Sequence, residues 1–489
     1  MFRVASVAEV READARASAS VGEAVLIARA AAAVARTAGA LLGRVGGRVD
    51  GRVYGARVTV LAGSGHNGVD AIRAGVLLAR RGAQVTVVRS SDRPTDTLGE
   101  QAYADLRAAG GRTASGLPAT GLTTSVDLVL DGMVGVGARG GLRGRAAELA
   151  GAIAGLPTLA VDLPSGVDAD TGAVGAGGAV RADVTVTFGA RKPGLLLGAG
   201  TTHAGTVEVA DVGLGLAGAP GALGALTDAD VDALLPVPPD GADKYSRGVV
   251  GLLTGSPRYP GAGVLSTGGA VRGGAGYVRY LGGAPDAVRE RFPTAVVGGG
   301  RCDAHVAGSG AGTDEAARDR VRELLAGDAP LVLDADGLAV GADALRGRRA
   351  PTLITPHAGE FRRLTGVDPA GDPLGSALAA ARDLGVTVLL KGGVTVIAAP
   401  DGTARINLTG CPWLSTAGTG DVLSGACGAI LAALVKRGHD PATVARDAGA
   451  AAAHLHGRAG WLASEGAPIA ADSLLDVWSD AVRSVRSQA

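Results

Sequence analysis

Asn407-Leu-Thr-Gly-Cys-Pro-Trp-Leu-Ser-Thr-Ala-Gly-Thr-Gly-Asp421, with the apolar run behind it, sets the reading of this chain. The loop Gly418-Thr-Gly-Asp421 carries no bulky side chain that would keep an anion away from the backbone. Leu423, Cys427, Ile430, Leu431 and Leu434 then recur at helical spacing, and Gly425 and Gly428 permit close packing of that helix. A small-residue loop opening a helix offers unpaired N–H groups and the positive end of the helix dipole, which together make an anion site. A carboxylate placed there competes with the anion unless it has a task. One such task is to take a proton from a hydroxyl while the N–H groups hold the charge that develops in phosphoryl transfer. The alternative is an Asp that caps a core helix.

Outward from this stretch, the chain bounds its own class. Its 489 residues exceed one typical core, so two α/β domains are expected. Hydrophobic residues at 47% and charged residues at 19% describe a well-buried globular protein. The formal net charge is zero, which excludes an electrostatic case for nucleic acid or an anionic membrane. Aromatic residues, at 3%, are too few for base-stacking platforms. Cys302, Cys411 and Cys427 lack metal-site spacing and form an odd set, as expected of a reducing cytoplasm. Glu9, Arg11 and Glu12 stand where a signal peptide needs an apolar run, and no charge-free stretch reaches membrane-spanning length. A soluble cytoplasmic protein with no membrane partner, assembling as a homo-oligomer, is the expectation.

Composition also calibrates the motifs. Glycine makes up 81 residues, so a bare G-x-G-x-x-G arises by chance about twice in such a chain. Lysine is the opposite case: against many arginines, the lysines are Lys192, Lys244, Lys391 and Lys436. A chain that otherwise uses Arg keeps Lys where a compact ammonium is needed, as at a phosphate. That reasoning favours Lys391 over the others.

In the first half, residues 6–38 show a helical pattern that is expected to end near Gly39. Arg57-Val-Thr-Val-Leu-Ala-Gly-Ser-Gly-His-Asn-Gly-Val-Asp70, followed by an apolar helix and Gln84-Val-Thr-Val-Val-Arg89, reads as a βαβ unit. Ligands of such sheets lie at the C-terminal edge. The loop lacks the Lys-Ser/Thr ending of a P-loop, which disfavours an ordinary nucleoside triphosphatase. Asp127-Leu-Val-Leu-Asp131 and Thr158-Leu-Ala-Val-Asp162 bring two carboxylates to the same edge, and Val184–Phe188 and Thr206–Gly213 add further strands. The alternative for each Asp is a turn cap. Oxygen ligands from Asn67, Asp131 and Ser165 suit a hard cation.

These motifs resemble the NAD(P)H-hydrate epimerase domain. That family reads Gly-x-Gly-Asn-Asn-Gly-Gly-Asp, Asp-x-x-x-Gly-Thr-Gly and Val-Asp-Ile-Pro-Ser-Gly. The chain has Gly-Ser-Gly-His66-Asn67-Gly68-Val69-Asp70, Asp131-Gly-Met-Val-Gly135-Val136-Gly137 and Val-Asp162-Leu-Pro-Ser165-Gly. The resemblance implies substrate contacts at His66, Asn67, Gly68, Val69 and Asp70, along Gly135, Val136, Gly137, Ala138, Arg139, Gly140 and Gly141, and at Asp162. It implies a potassium ion (K+) at Asn67, Asp131 and Ser165, and Asp162 as the proton shuttle at the hydrated nicotinamide. His66, Val69 and Val136 stand where the family has Asn, Gly and Thr, and are expected to put bulk or altered polarity against the ligand.

A Gly/Ala-rich connector from Gly213 places the boundary near residue 220, giving domains 1–220 and 221–489. Beyond it, Val249–Ser256, Ala304–Asp314, Pro330–Asp336, Thr352–Phe361 and Val386–Ile397 read as strands ending in small loops. Carboxylates follow at Asp334 and Asp336, His357 opens a helix, and Lys391 sits at a turn between strands. His357 either donates to a polar ligand group or simply faces solvent. Repeated βα units that end in Asp421 match a ribokinase-like architecture, a sheet with helices on both faces.

Gly255-Ser256, Tyr259-Pro-Gly-Ala262, Gly308-Ser-Gly310-Ala-Gly312, Asp334-Ala-Asp336, Thr355-Pro-His357-x-Gly-Glu360, Leu390-Lys391-Gly and Gly418-Thr-Gly420-Asp421, in this order, resemble the ADP-dependent NAD(P)H-hydrate dehydratase domain. By that resemblance Ala262, Gly310, His357 and Asp421 face the hydrated dinucleotide. Lys391, Gly392, Gly393, Val394, Thr395 and Gly420 face the adenine nucleotide, and Asp421 is catalytic. The fold class implied is α/β: a Rossmann-like three-layer αβα domain followed by a ribokinase-like αβα domain. The implied partners are the hydrates of NADH and NADPH together with ADP, which brings Mg2+. A vitamin or sugar kinase of the same fold, carrying a non-catalytic N-terminal binding domain, is the competing reading.

Overall fold

The computed structural model describes residues 1–43, 53–114, 126–137, 140–216, 221–238 and 240–486. The chain divides into two compact units: Arg3–Gly221, and Ala222–Ala489 together with Met1–Phe2.

The first unit is built on a parallel sheet. Across it, the described strands run Arg112–Ala114, Gln84–Arg89, Arg57–Ala62, Leu128–Gly132, Thr158–Val161, Val184–Phe188 and Thr206–Ala210. Successive side chains of a strand point to opposite faces. Val58 and Val60 accordingly join one core with Ile27, Val34 and Ile72, while Leu61 joins another with Val129, Leu149 and Ile153. Helices on both faces make three layers. The sheet is extended one way from Arg57–Ala62 and then the other way from Leu128–Gly132, so the topological switch point lies between these strands. A crevice forms there at the carboxyl ends.

The N-terminal helical pattern is two helices, Val7–Val21 and Glu23–Leu42, rather than one ending at Gly39. Ser6 and Glu9 form a capping box at the start, and Gly22, at φ 87°, breaks the pair. Gly39 stays within the second helix, because its apolar face continues to Leu41 and Leu42.

The second unit repeats the principle. Tyr277–Tyr280, Val249–Leu253, Ala304–Ala307, Leu331–Leu333, Thr352–Ile354 and Thr387–Leu390 are neighbours and parallel, and Thr395–Ala398 and Ala404–Asn407 continue antiparallel. Val249–Leu253 is buried along its whole length, as a strand covered on both faces must be. Its switch point lies between Val249–Leu253 and Ala304–Ala307.

Helix Thr419–Lys436 crosses helix Pro260–Arg272 with backbone almost on backbone. A Cβ on Gly425 would fall 2.0 Å from the Ser266 carbonyl oxygen, and one on Gly269 would fall 2.1 Å from that of Val422. Only glycine allows that approach. Glu23–Leu42 and Thr419–Lys436 are long and apolar enough to cross a membrane, but 61% and 78% of an 18-residue apolar window in each is buried inside the protein, as in core helices.

Candidate functional site

In the first unit, a cavity of about 600 Å3 opens at the switch point. Its lining includes His66, Asn67, Asp70, Gly135, Val136, Gly137 and Asp162. Helix His66–Arg80 starts just after the strand Arg57–Ala62, which turns Asn67 and Asp70 toward the crevice. Val69 is turned the other way: it is 1% exposed and belongs to the core, so its bulk does not face a ligand, contrary to the expectation. Gly68 donates its N–H to the Gly65 carbonyl and is pressed against Gly63, where a Cβ would lie 2.1 Å from the carbonyl oxygen. Gly140 and Gly141 line a neighbouring cavity. Ala138 and Arg139 lie outside the described residues. His66 is mostly exposed, its Nε2 3.2 Å from Glu23 and 3.5 Å from Asp96.

Asp162 follows its strand at φ 67°, a left-handed conformation that non-glycine residues rarely adopt. Its Oδ1 accepts from Lys192 Nζ at 2.6 Å, from the Thr187 hydroxyl and from the Phe188 N–H. Lys192 is fully buried and also donates to Thr187 and the Phe188 carbonyl. Sequence reasoning passed over this lysine; its signal was lysine scarcity. Asp70 carries a buried oxygen with no hydrogen-bond partner. Burial, then the Asp162 charge, pushes its carboxyl well above the ordinary range.

Asp131 is completely buried. It accepts from the Ser165 hydroxyl at 2.7 Å and from the Ser165 and Met133 N–H groups. Burial raises it to about 6 even though those bonds pull it down. The Asn67 side chain packs on Gly135, and its buried amide nitrogen has no partner.

In the second unit, strand ends and the helix terminus converge on a cavity of about 670 Å3 whose walls include His357, Lys391, Gly392, Gly393, Thr395, Gly420 and His456. Val394 is half-buried beside it. Lys391 reaches Asp334 at 2.8 Å and stands 3.9 Å from Glu360. Asp334 also accepts from Thr355 and Ser309. Burial works against the Lys391 ammonium, but Asp334 and Glu360 outweigh it and leave its pKa raised. A Cβ on Gly420 would sit 3.4 Å from that ammonium, so the loop and the lysine are near neighbours.

Gly418, not Asp421, caps the helix; Asp421 is its third residue and makes no capping bond. The alternative of a simple cap therefore falls. Burial and the Asp334 charge raise Asp421 to about 7, with the Ser309 hydroxyl and then Lys391 opposing. Ala262 and Gly310 meet at the switch point, a Cβ on Gly310 lying 2.6 Å from that of Ala262. His357 caps the next helix through Nδ1, yet its exposed ring also lines the cavity. His456, absent from the sequence reading, is driven down to about 4 by burial and is neutral. Its Nε2 therefore donates to the Thr419 carbonyl at 2.9 Å, which pins the loop.

Comparison with known proteins finds two family regions along the chain. The NAD(P)H-hydrate dehydratase family matches residues 250–478, and the YjeF-related protein N-terminus family matches residues 23–194. A bifunctional NAD(P)H-hydrate repair enzyme of Mycobacterium tuberculosis is 43% identical over 437 residues, covering 87% of this chain and 88% of that one. One from Mycobacterium leprae is 42% identical, covering 88% and 89%, and one from Salinibacter ruber is 36% identical, covering 82% of each. Among solved structures, an ADP/ATP-dependent NAD(P)H-hydrate dehydratase from Bacillus subtilis is 28% identical and covers 53% of this chain and 98% of that one, with a TM-score of 0.49. With two family regions in order and such relatives along most of its length, the chain belongs to the bifunctional NAD(P)H-hydrate repair enzymes.

Proposed function

We propose that this chain repairs hydrated NADH and NADPH. The first unit interconverts the R and S hydrates, and the second uses ADP to return the S hydrate to the dihydronicotinamide. The observation that carries the second activity is Asp421: a carboxylate tuned to about 7, beside a glycine loop at a helix N-terminus and within the field of Lys391. A base serves best with a pKa near the working pH. Asp421 takes the hydroxyl proton, and the oxygen attacks the terminal phosphorus of ADP. AMP leaves, and the Gly418–Gly420 N–H groups and Lys391 hold the transferring charge. The ring C–O bond of the resulting phosphate ester then breaks as a proton leaves the neighbouring ring carbon, giving the double bond and inorganic phosphate. Ala262, Gly310 and His357 would face the hydrated ring, and Lys391 to Thr395 with Gly420 the nucleotide.

Among the described residues, no group of three or more His, Cys, Asp or Glu side chains converges to hold a metal ion. With Asp334 engaged by Lys391, Thr355 and Ser309, Mg2+ fits as an ion carried on the nucleotide phosphates. The K+ reading fits better with the protein itself. Asp131 and Ser165 hold hard oxygens 2.7 Å apart at a buried carboxylate that carries its charge at a cost, and the Asn67 side chain packs on Gly135, in the loop that follows that strand. A monovalent cation there would supply countercharge and fix the loop that begins at Gly135.

In the first unit, Asp162 moves the proton at the hydrated carbon while Lys192 positions its carboxylate. Asp70, whose carboxyl burial pushes well above the ordinary range, lines the same cavity as Asp162. Free Cys302, Cys411 and Cys427 fit a reducing cytoplasm. Incubation with the S hydrate of NADH and ADP, followed by NADH absorbance, tests the proposal. A stable phosphorylated vitamin or sugar, with no ADP-dependent recovery of NADH, would point to a kinase instead.

A further inference from the structure

Beside the Asp162 cavity lies a second one of about 490 Å3. The two share Ser64, Arg93, Met133 and Val134 as walls, so one elongated ligand can occupy both. The second cavity is basic: Arg93, Arg143 and Arg145 line it together with Ser90 and Ser91. Asp168 also lines it, but its Oδ1 already accepts from Thr171 and the Asp170 N–H. Asp92, on the same segment as Arg93, is 99% exposed and does not line the cavity; its carboxylate stands 3.9 Å from Arg145. Ser90 to Arg93 directly follow the strand Gln84–Arg89, which pairs with the strand that opens into the glycine loop. In doubly wound sheets this strand end reads the ribose 2′ position, with an acid for a free hydroxyl and an Arg for a 2′-phosphate.

Resting on the epimerase reading of the Asp162 cavity, we infer that the basic cavity is a phosphomonoester subsite for the adenosine 2′-phosphate. The first unit thereby prefers the hydrate of NADPH over that of NADH. Arg93 and Arg143 make the charge-assisted contacts, and Ser91 supplies a neutral donor where a selective NADH site would carry a carboxylate.

Two measurements on the full chain decide it. In the first, kcat/KM for epimerisation is measured with the R hydrates of NADPH and NADH for the wild type, Arg93→Ala and Arg143→Ala. The preference for the phosphorylated hydrate should fall about tenfold in each variant. Equal use of both hydrates by the wild type, or an unchanged ratio in both variants, overturns the inference. In the second, 2′,5′-ADP is titrated calorimetrically into the same proteins. A binding event lost in both variants and retained in Arg143→Lys supports the subsite even if neither hydrate is epimerised, in which case only the epimerase reading fails. Identical titrations across all proteins overturn it. Matching melting curves exclude unfolding as the cause.

Discussion

Replacing Asp421 with Asn should slow dehydration by orders of magnitude and at the same time make the second unit more stable. Burial and Asp334 hold the carboxyl near 7 instead of its ordinary 3.8, so its ionised form is disfavoured in the folded protein. Counted in full, that difference costs about 4 kcal/mol above pH 7. Partial exposure to solvent reduces it to roughly 1–2 kcal/mol. The sign follows from the folded pKa being the higher one. Below 3.8 the group is protonated in both states and costs nothing, the cost grows between 3.8 and 7, and it is constant above. The amide of the Asp421→Asn variant carries no charge to desolvate, so the melting temperature at pH 8 should rise by about 2–6 °C. The gain should be clearly smaller at pH 5. Turnover should fall by about 10²- to 10⁴-fold, the range of a lost general base. Paired thermal melts at pH 5 and pH 8, run beside the ADP-dependent assay, read both effects. A variant no more stable than the wild type at pH 8, or stabilised equally at the two pH values, would refute the claim that Asp421 is a strained carboxylate.

In the wild type, dehydration should rise with pH and level off above about 7 as Asp421 loses its proton. Lys391→Met should move that limb to higher pH and raise the KM for ADP, and a limb left in place would show that the lysine does not act on Asp421. Lys192→Met should stop epimerisation and destabilise the first unit by about 3–5 kcal/mol, because it strands a buried charge. The double variant with Asp162→Asn should recover much of that stability, measured by urea denaturation, and a double variant no more stable than the single would contradict the pairing. Gly425→Ala should destabilise the second unit by several kcal/mol by forcing two backbones apart, and a melting curve like that of the wild type would show that the helices can separate freely.

Much of this was legible in the sequence because the informative residues are local. Strand ends at Asp131, Asp162, Asp334 and Lys391 and the loops after them follow from short apolar runs broken by small residues, and the helix after Gly418 follows from its period. The unread parts are those made by distant segments. Lys192 meets Asp162 across a neighbouring strand, 30 positions away in sequence. His456 reaches Thr419 from a helix 37 positions on. No local pattern encodes either meeting. Val69 failed for a different reason: a motif position says which residue is present, while the helix phase decides whether it faces the crevice or the core. The break at Gly22 was hidden because an alanine-rich pattern on both sides keeps the same period through it.

The left-handed backbone at Asp162 narrows what can ever occupy that position. Gly, Asn and Asp enter such a conformation at little expense, while other residues meet a penalty of about 1–2 kcal/mol. Gly and Asn lack an ionisable carboxyl, and Glu keeps the acid but incurs the penalty and carries it one bond further from the Lys192 ammonium. Chemistry and conformation thus leave a single amino acid only in combination, each excluding what the other admits. A library at codon 162 screened for epimerisation should return Asp alone, and recovery of Glu, Asn or Gly would show that one of the two constraints does not hold.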